Sequence, residues 1–337
     1  MTTGLSRSIL ISILNWNGSA DTIACVSSLL ALENPDAHRM NIVVIDNGSR
    51  AEQWQALQIG LRDKDVQLVR EEVNLGFAGG HNLALQLALD QRYDYAWLFN
   101  NDAVAKPDAL TSLVRLIDGD AQCGAVSPLV LSRDDESVID FCGAMHDWPN
   151  LSSISSTSLA QTREMEARHP QAMWLMGAAI MLRVAALRQV GLLNHAYFAY
   201  YEDNDICARL SVAGWTCRMA LDSVILHSHP VLRMRDKGAY YFYLMARNSF
   251  KFWFEHTPVP YRSKLRLKLI DKTLLMANRL HNHGWIDKRD ACLLGIYDGQ
   301  KGVGGLWNLA RQVPLSVALL RRARWPNHRK HIGSGDA

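Results

Sequence analysis

The chain lacks the sequence signatures of several common protein classes. Its 337 residues contain no run of 18 apolar residues, so we expect no membrane-spanning helix. Its six cysteines include no C-x-x-C pair, which leaves neither a zinc motif nor a disulfide framework and is typical of the reducing cytosol. The apolar stretch 9–14 is short and has no cleavage-site pattern, so it predicts a first strand rather than a signal peptide.

Two phosphate-binding motifs are also absent. The segment 74–82 is rich in glycine, but it has neither the G-x-G-x-x-G spacing of a dinucleotide site nor the Gly-Lys-Ser/Thr of a Walker loop. Glycines before a helix still allow backbone N–H groups to approach an anion at the positive end of that helix. The alternative is a strand-to-helix turn in which the glycines serve geometry alone.

The net charge of +3 hides an uneven distribution of charge along the chain. From Ser228 to Ala337 there are 20 Lys and Arg against 7 Asp and Glu, a balance of +13. The residues before Ser228 have a balance of −10. An acidic N-terminal part and a basic C-terminal part indicate different partners for the two parts of the chain.

Apolar runs and helical patterns alternate through the front of the chain. The runs end in polar residues, as buried strands of a parallel sheet do, and they cover 9–14, 41–45, 66–69 and 97–99. Helical patterns follow them, beginning near Asp21 and covering 52–60, 83–90 and 108–117. This alternation predicts a right-handed series of βαβ units with a parallel sheet, hence an α/β fold.

The rest of the chain divides less regularly. Residues 124–130 and 223–226 predict strands, and 174–182 predicts a buried strand or the start of a helix. The segment 132–170 is poorly patterned and predicts loops, with a mobile lid as one interpretation. Basic helical patterns follow over 239–254, 261–280 and 306–320, the last interrupted by Pro314. We therefore expect an α/β domain over 1–235, which is the candidate ligand-binding and catalytic part, and a helical, basic region over 236–337.

Polar side chains follow the predicted strands where each strand ends. Asn15, Asp46, Asn74 and Asp102 would all face one edge of the sheet, where ligands bind in open α/β folds. The carboxylate of Asp102 and its neighbouring amides suit a hard divalent cation, and such a cation suits a diphosphate. An Asx-type turn that only caps backbone is the alternative for Asp102 on its own.

A second polar cluster lies at 197–205, where three carboxylates stand beside three tyrosines. Acidic residues in the first turn of a helix are favoured by the helix dipole, so a structural role is available. A carboxylate beside aromatic walls can instead have its proton affinity adjusted for base chemistry. Farther along, His227 and His229 follow a strand and are candidates for metal binding or catalysis.

Taken together, these motifs resemble those of the inverting family-2 glycosyltransferases with the GT-A fold, especially the rhamnosyltransferase-like branch. The resemblance covers about residues 8–250, and six motifs in the right order make it specific. The matching positions are Asn15-Trp16-Asn17-Gly18, Asp46-Asn47-Gly48-Ser49, the loop 74–82, Asn100-Asn101-Asp102 with Pro107, Gly177, 191–194, Glu202-Asp203 and His227.

The resemblance implies a role for each matching residue. Asp46 would receive the base and ribose of a nucleotide-sugar, and Asn82 with the glycine loop would form the wall beside the ribose and diphosphate. Asp102 would bind the metal as the last residue of the family's D-x-D motif, in which amides here replace the first two positions. The full set of donor-binding residues implied is Asn15, Asn17, Asp46, Asn74, Gly76, Gly80, Asn82, Asn100 and Asn101.

The implied metal and catalytic residues complete the site. His227 stands where several relatives supply a second metal ligand, with His229 as the fallback, and the ion would be Mg²⁺ or Mn²⁺. Asp203 would be the general base, and Glu202 would hold the acceptor or orient Asp203. A positioned carboxylate removes the acceptor proton during attack, while the cation stabilises charge on the departing diphosphate.

The resemblance implies transfer of L-rhamnose from a thymidine diphosphate donor to a glycan or polyprenyl-diphosphate-linked acceptor in cell-surface polysaccharide synthesis. The alternatives are a uridine diphosphate donor carrying a galactofuranosyl, glucosyl or N-acetylhexosaminyl group, a sugar-nucleotide pyrophosphorylase, and a non-catalytic sugar-binding module. A pyrophosphorylase would need basic residues after the first strand, where Asn15-Trp16-Asn17-Gly18 has none. A non-catalytic module would be expected to lose the acid at 102 or 203, and both are present.

The basic C-terminal region, 236–337, allows two interpretations. Its amphipathic helices could lie on an anionic membrane surface, which would make the protein peripheral on the inner face of the cytoplasmic membrane. Alternatively, they form a helical subdomain that packs on the core with a solvated basic face. No recognition motif accompanies the charge, so we expect no binding to nucleic acid.

Overall fold

A computed structural model describes residues 6–228, 234–328 and 330. The chain forms two compact units. The first unit falls within 1–146, 153–194 and 202–230, and the second within 147–152, 195–201 and 231–337. Two short segments that the sequence grouped with the front of the chain therefore belong to the second unit.

Four parallel strands form one half of the main sheet in the first unit. They are β1 (Ser8–Asn15), β2 (Arg39–Asn47), β3 (Gln67–Glu71) and β4 (Tyr95–Asn100). Their order is β3-β2-β1-β4, and every neighbouring pair is parallel. The apolar runs of β1, β2 and β4 are buried on both faces, which explains their lack of polar alternation. The predicted parallel βαβ series is confirmed here.

Helices connect these strands and cover the sheet. They are α1 (Ser19–Leu30), α2 (Ala51–Leu61), α3 (Gly76–Asp90) and α4 (Ala109–Gly119). The sequence placed the start of the third helix at Leu83, and this was wrong, because the glycine loop itself forms the first turns of α3. Gly76 has a φ of +76°, which glycine adopts without strain, and the helix can begin there.

The second half of the main sheet is mixed. It contains β5 (Ala103–Ala105), β6 (Cys123–Ser132), β7 (Ile139–Phe141), β11 (Met181–Arg183) and β12 (Thr216–His227). The strand order is β3-β2-β1-β4-β11-β6-β12-β5, with β11 antiparallel to β4 and β6, and β5 antiparallel to β12. The mostly parallel sheet that we expected is confirmed, and its antiparallel pairs lie in this half.

The segment 132–170, predicted to be loops, contains regular structure. Besides β7 it holds β8 (Ala144–Asp147), β9 (Ser152–Ser155) and α5 (Leu159–Arg168), and β10 (Met173–Trp174) follows. Strands of two to four residues are too short to give a period-two signal. Helix α5 begins at a cap in which the Ser158 hydroxyl accepts a hydrogen bond from the Gln161 N–H at 3.3 Å.

Two more helices complete the first unit. These are α6 (Val184–Val190) and α7 (Glu202–Val212), and three carboxylates occupy the first turn of α7. Helix α7 thus begins with the acidic cluster seen in the sequence, in the orientation that the helix dipole favours.

Four helices form the body of the second unit. They are α8 (Ala239–His256), α9 (Leu265–Asn282), α10 (Ile286–Lys301) and α11 (Leu315–His328). Helix α10 was not predicted from the sequence. It packs so closely on α8 that a Cβ at Gly295 would lie 2.3 Å from the Tyr243 carbonyl oxygen. The predicted helix over 306–320 begins only after Pro314. Among the described residues, no helix has both the length and the apolar character needed to cross a membrane.

Candidate active site

The parallel register brings the polar strand ends of β1 and β2 side by side. Asn15 pairs with Asp46, and the Asn15 amide donates a 2.7 Å hydrogen bond to Asp46 Oδ1. The other carboxylate oxygen of Asp46 accepts a longer bond, 3.4 Å, from the Ser49 N–H. Arg70 Nε lies 4.0 Å from the same carboxylate, which is fully buried. Asp46 is therefore held in one orientation at the carboxyl edge of the sheet.

Asn47 connects the end of β2 to the glycine loop. Its Oδ1 accepts a 2.9 Å hydrogen bond from the Leu75 N–H, and its Nδ2 donates to Asn74 Oδ1 and to the Gly76 carbonyl, both at 3.1 Å. Gly48 is required beside it, because its φ is +74° and an added Cβ would lie 2.7 Å from the Asn74 nitrogen. Asn47 lies within the Asp46-Asn47-Gly48-Ser49 motif, but sequence analysis gave it no role.

Two predicted donor-binding residues have structural contacts of their own. A Cβ at Gly80 would lie 2.3 Å from Leu14 Cδ1, so this glycine allows α3 to pack directly on β1. The Asn82 amide donates to the Leu193 carbonyl at 2.8 Å and accepts from the Leu193 N–H at 3.0 Å. Both polar atoms of Asn82 thus anchor the backbone at 193, and its contact with a donor stays a prediction.

The other predicted asparagines tie neighbouring loops together. Asn17 has a φ of +57°, and its Oδ1 accepts a 2.9 Å hydrogen bond from the Arg50 N–H. Asn101 Nδ2 donates to Thr22 Oγ1 at 3.0 Å and to the Gly18 carbonyl at 3.3 Å, at the start of α1. These bonds fix the loops after β1, β2 and β4 relative to one another.

Asp102 and His227 meet because the strands beside them pair. In the antiparallel pair of β5 and β12, His227 lies opposite Ala103, the residue after Asp102. As a result His227 Nε2 lies 3.2 Å from Asp102 Oδ1, and Asn100 Nδ2 lies 3.4 Å from the same ring nitrogen. The structure thus brings together the two metal ligands that the sequence proposed, whereas the fallback His229 lies outside the described residues.

A second carboxylate holds the other side of the histidine ring. Asp140, on β7, places Oδ2 3.0 Å from His227 Nδ1. Burial alone would lower the pKa of His227, but hydrogen bonds to Asp102 and Asp140 outweigh it and raise the pKa to about 9. Sequence analysis missed Asp140 because it lies in the segment predicted to be loops.

These atoms fit a divalent cation. A carboxylate oxygen from Asp102 and a ring nitrogen from His227 converge, and the amide of Asn100 lies next to them. Oxygen ligands suit Mg²⁺ and Mn²⁺, and imidazole suits the transition metals. Metal-binding histidines usually donate the second ring N–H to a carboxylate or carbonyl, as His227 can to Asp140.

Asp203 stands in the first turn of α7 and is held by three backbone and side-chain donors. Its Oδ2 accepts a 3.1 Å hydrogen bond from the Gly177 N–H, and its Oδ1 accepts from the Asn204 N–H at 2.7 Å and the Asn204 amide at 2.9 Å. Burial nevertheless raises the pKa of Asp203 above its usual value. The side chain remains partly exposed, so a ligand can reach it.

Glu202 is buried with an unsatisfied oxygen. It is 6% exposed, and its Oε2 has no hydrogen-bond partner among the described residues. Burial, together with the charges of Asp203 and Asp205, raises the pKa of Glu202 well above its usual value. An orphaned carboxyl oxygen at this depth indicates a place for a hydroxyl group or water.

The residues just before Glu202 adopt a strained backbone. Three aromatic residues have left-handed φ angles, which are uncommon for residues other than glycine: Phe198 (+66°), Tyr200 (+69°) and Tyr201 (+77°). The buried Asn248 amide holds this segment by donating to the Tyr197, Ala199 and Tyr200 carbonyls at 2.8–3.0 Å. Strain held in this way is a feature of functional sites.

Comparison with known proteins identifies the family. The family model described as glycosyltransferase-like family 2 matches residues 7–248, which is more than half of the chain. The chain belongs to this family. As a family-2 glycosyltransferase it is a transferase enzyme. This membership argues against both alternatives, the sugar-nucleotide pyrophosphorylase and the non-catalytic sugar-binding module.

Two curated relatives of this chain are rhamnosyltransferases by name. One is the N-acetylglucosaminyl-diphospho-decaprenol L-rhamnosyltransferase of Mycobacterium tuberculosis, which is 28% identical over 233 residues, 63% of this chain and 72% of the relative. The other is rhamnosyltransferase WbbL of Escherichia coli K12, 26% identical over 183 residues, 47% of this chain and 67% of the relative. The predicted resemblance to the rhamnosyltransferase-like branch is confirmed at this modest level of identity.

A solved glycosyltransferase shares the fold. It is a mannosyltransferase from Pyrobaculum calidifontis, solved in complex with GDP-Man and Mn²⁺. The alignment has a TM-score of 0.54 at 14% identity and covers 98% of this chain and 84% of that protein. The GT-A fold predicted for this family-2 glycosyltransferase is confirmed, with helices following the catalytic part.

Proposed function

We propose that this enzyme transfers L-rhamnose, with inversion, from a nucleoside diphosphate donor to a hydroxyl group of a lipid-linked glycan. The observation that carries the proposal is the pairing of Asp102 with His227, whose ligand atoms lie 3.2 Å apart at the end of the sheet. The names of two rhamnosyltransferase relatives support the choice of sugar, and one of them acts on a diphospho-decaprenol-linked substrate.

The donor binds along the edge formed by β1, β2 and α3. The carboxylate of Asp46, oriented by Asn15, accepts hydrogen bonds from the base or ribose of the nucleotide. The N-terminus of α3, held by Asn47, places the positive end of the helix dipole beside the diphosphate. This arrangement needs no Walker loop.

The leaving diphosphate departs next to Asp102 and His227. A divalent cation held there would neutralise the negative charge that grows on the diphosphate. Asp140 accepts a hydrogen bond from His227 Nδ1–H and thereby leaves Nε2 directed toward Asp102. Asn100 contributes a neutral amide beside the same nitrogen.

Asp203 acts as the general base. The acceptor oxygen forms a bond to the anomeric carbon as the bond from that carbon to the diphosphate oxygen breaks, and the hydroxyl proton moves to Asp203. A raised pKa strengthens Asp203 as a proton acceptor once it is ionised. The unsatisfied Oε2 of Glu202 binds an acceptor hydroxyl and so positions the acceptor. A single displacement of this kind inverts the anomeric centre.

Incubation of the purified protein with paired donors tests the proposal. Thymidine diphosphate-rhamnose and uridine diphosphate sugars are each supplied with Mn²⁺ and a prenyl-diphosphate-linked N-acetylglucosamine. We expect transfer of rhamnose only, with inverted configuration by nuclear magnetic resonance. Efficient transfer from a uridine diphosphate sugar, with none from the rhamnose donor, would overturn the choice of donor.

A further inference from the structure

The second unit contains a cavity that the proposed catalytic roles leave unused. Its volume is about 210 Å³, it opens to solvent, and it lies among α8, α9 and α10 and the segments at 151 and 201. Its walls are mainly apolar and aromatic, and they include Tyr241, Phe242, Met245, Trp253, Leu269 and Met276. The cavity is smaller than a typical pocket for a drug-sized ligand but suits a short piece of hydrocarbon chain.

The composition of the walls indicates a flexible apolar ligand. Three methionines, Met234, Met245 and Met276, line the cavity. Methionine has an unbranched, polarizable side chain that adapts to ligands of irregular shape, and it is common on surfaces that bind flexible apolar groups. Because the walls are concave, the cavity suits an inserted hydrocarbon chain better than it suits the flat surface of a protein partner.

Two lysines add positive charge to the apolar cavity. Lys237 and Lys272 both line it. Lys237 Nζ lies 4.1 Å from the centre of the Tyr241 ring, and Lys272 Nζ donates a 2.5 Å hydrogen bond to the Leu151 carbonyl. An ammonium group is a common binding partner for phosphate oxygens. An apolar cavity with two lysines therefore matches a hydrocarbon chain that carries a phosphate or diphosphate at one end.

Tyr201 connects this cavity, along the chain, to the acidic pair that follows it. Tyr201 lines the cavity, with its ring centre 5.5 Å from that of Phe252. Its left-handed φ of +77° is maintained by the hydrogen bonds that Asn248 makes to the preceding segment. The next two residues in the chain are Glu202 and Asp203, which the proposed function assigns to the acceptor.

We propose that this cavity binds the first isoprene units of a polyprenyl-diphosphate-linked acceptor, with Lys237 and Lys272 beside the diphosphate. The inference rests on the proposed function in one respect, namely that the acceptor is lipid-linked. Apolar burial favours entry of the prenyl chain, and the lysines select a chain that ends in a diphosphate.

Acceptors that differ only in their lipid test the cavity in the full-length enzyme. One is N-acetylglucosamine on farnesyl diphosphate, and the other is methyl N-acetylglucosaminide. Met245→Gln keeps the size of the side chain but makes it polar, and Ala246→Trp fills the cavity. We expect each variant to raise the KM for the prenyl acceptor at least tenfold, with the KM for the methyl glycoside and for the donor unchanged. Met40→Gln, at a half-buried methionine in β2, is the matched control.

A binding measurement separates this inference from the proposed function. Farnesyl diphosphate should quench the fluorescence of Trp253, which lines the cavity, and inorganic pyrophosphate should not. Met245→Gln should weaken the binding of farnesyl diphosphate and farnesol alike, whereas Lys237→Ala and Lys272→Ala should weaken only the diphosphate. Because these binding measurements need no turnover, they test the cavity even if no rhamnose is transferred. In that case only the proposed function would fail.

Three results would overturn the inference. The first is equal binding of farnesyl diphosphate to the wild type and to both cavity variants. The second is loss of a dimer in the cavity variants, by light scattering, because the occupant would then be a second copy of the chain. The third is loss of binding to phosphatidylglycerol vesicles with no change for farnesyl diphosphate, because the occupant would then be a membrane acyl chain.

Discussion

Asp140 holds the side of the His227 ring that faces away from Asp102, with 3.0 Å between Asp140 Oδ2 and His227 Nδ1. The other ring nitrogen lies 3.2 Å from Asp102 Oδ1. When the ring is neutral, as a metal ligand must be, a hydrogen bond from Nδ1–H to Asp140 keeps the proton on Nδ1 and leaves the Nε2 lone pair for the metal. Since Asn100 and Asn101 are neutral, Asp102 and the oriented imidazole of His227 are the main candidate metal ligands at this position among the described residues.

Asp140→Asn should weaken the binding of Mn²⁺ by about 10- to 100-fold, the usual effect of losing an outer partner of a metal ligand. The amide is nearly the same size but is a weaker acceptor for His227 Nδ1–H. Electron paramagnetic resonance titration of free Mn²⁺ measures the affinity without any turnover. Asp134→Asn, at an exposed aspartate nearby in sequence, is the control. Equal affinity in the two variants would remove Asp140 from this role.

Asp203→Asn should reduce the single-turnover rate of transfer by about 10²- to 10⁴-fold while calorimetric binding of thymidine diphosphate stays intact. The amide cannot take up the proton of the acceptor hydroxyl, and the change does not alter Asp46, to which we assign the nucleotide. Asp222→Asn, at an exposed position in β12, should retain full activity. A rate near that of the wild type in Asp203→Asn would assign the base elsewhere, with Glu202 as the next candidate.

Glu202→Gln should stabilise the fold, increasingly so as pH rises. The pKa of Glu202 is well above the usual 4.5, so the folded state disfavours the charged form that the unfolded chain adopts above that pH. The wild type therefore loses stability with rising pH through this group until the folded pKa is passed, and glutamine does not. The melting temperature should rise by a few degrees at pH 7 and by less at pH 5.

The matched control for that comparison is Glu72→Gln, at an exposed glutamate after β3. Its melting temperature should follow the wild type at both pH values. If the gain in Glu202→Gln were the same at pH 5 and pH 7, the titration of Glu202 would not be its cause.

Asn248→Ala should lower the free energy of unfolding by about 2–3 kcal/mol, because three carbonyls of the strained segment lose their shared donor in a buried place. Urea unfolding measures the change, with exposed Asn308→Ala as the control. Asn248→Asp should not restore stability, since a carboxylate offers no N–H and would face carbonyl oxygens. Full recovery with aspartate would contradict the role assigned to the amide.

The sequence predicted best where a local pattern and a global rule agreed. The apolar run 9–14 predicted a strand, and Asn15 after it marked the carboxyl end of that strand. Because the carboxyl ends of parallel strands meet at one edge, Asn15 could be placed beside Asp46 from the sequence alone. The pairing of Asp102 with His227 could be anticipated only through family resemblance, since 125 residues separate the two side chains in the chain. The antiparallel pairing of β5 with β12 that joins them leaves no periodic signal in three residues.

Other features required tertiary structure. Asp140 lies on a three-residue strand whose neighbour β6 is apolar, and no short-range pattern distinguishes it from the exposed aspartates just before it. Helix α10 has apolar residues on several sides because it is enclosed in the second unit, so the expected one-sided stripe is absent. The left-handed backbone at Tyr200 and Tyr201 opposes local preference and depends on Asn248, a distant side chain.

The separation of Asn248 from Tyr200 along the chain has a consequence for folding during translation. The carbonyl of Tyr200 and the amide that holds it are 48 positions apart, and the amide comes second. On the ribosome, the strained segment therefore emerges before the side chain that can hold it. A nascent chain that stops before 248 already contains Glu202 and Asp203 but lacks the amide that holds the left-handed segment before them. The contacts that hold this segment are thus completed only late in translation, after the helix that carries Asn248 has left the exit tunnel.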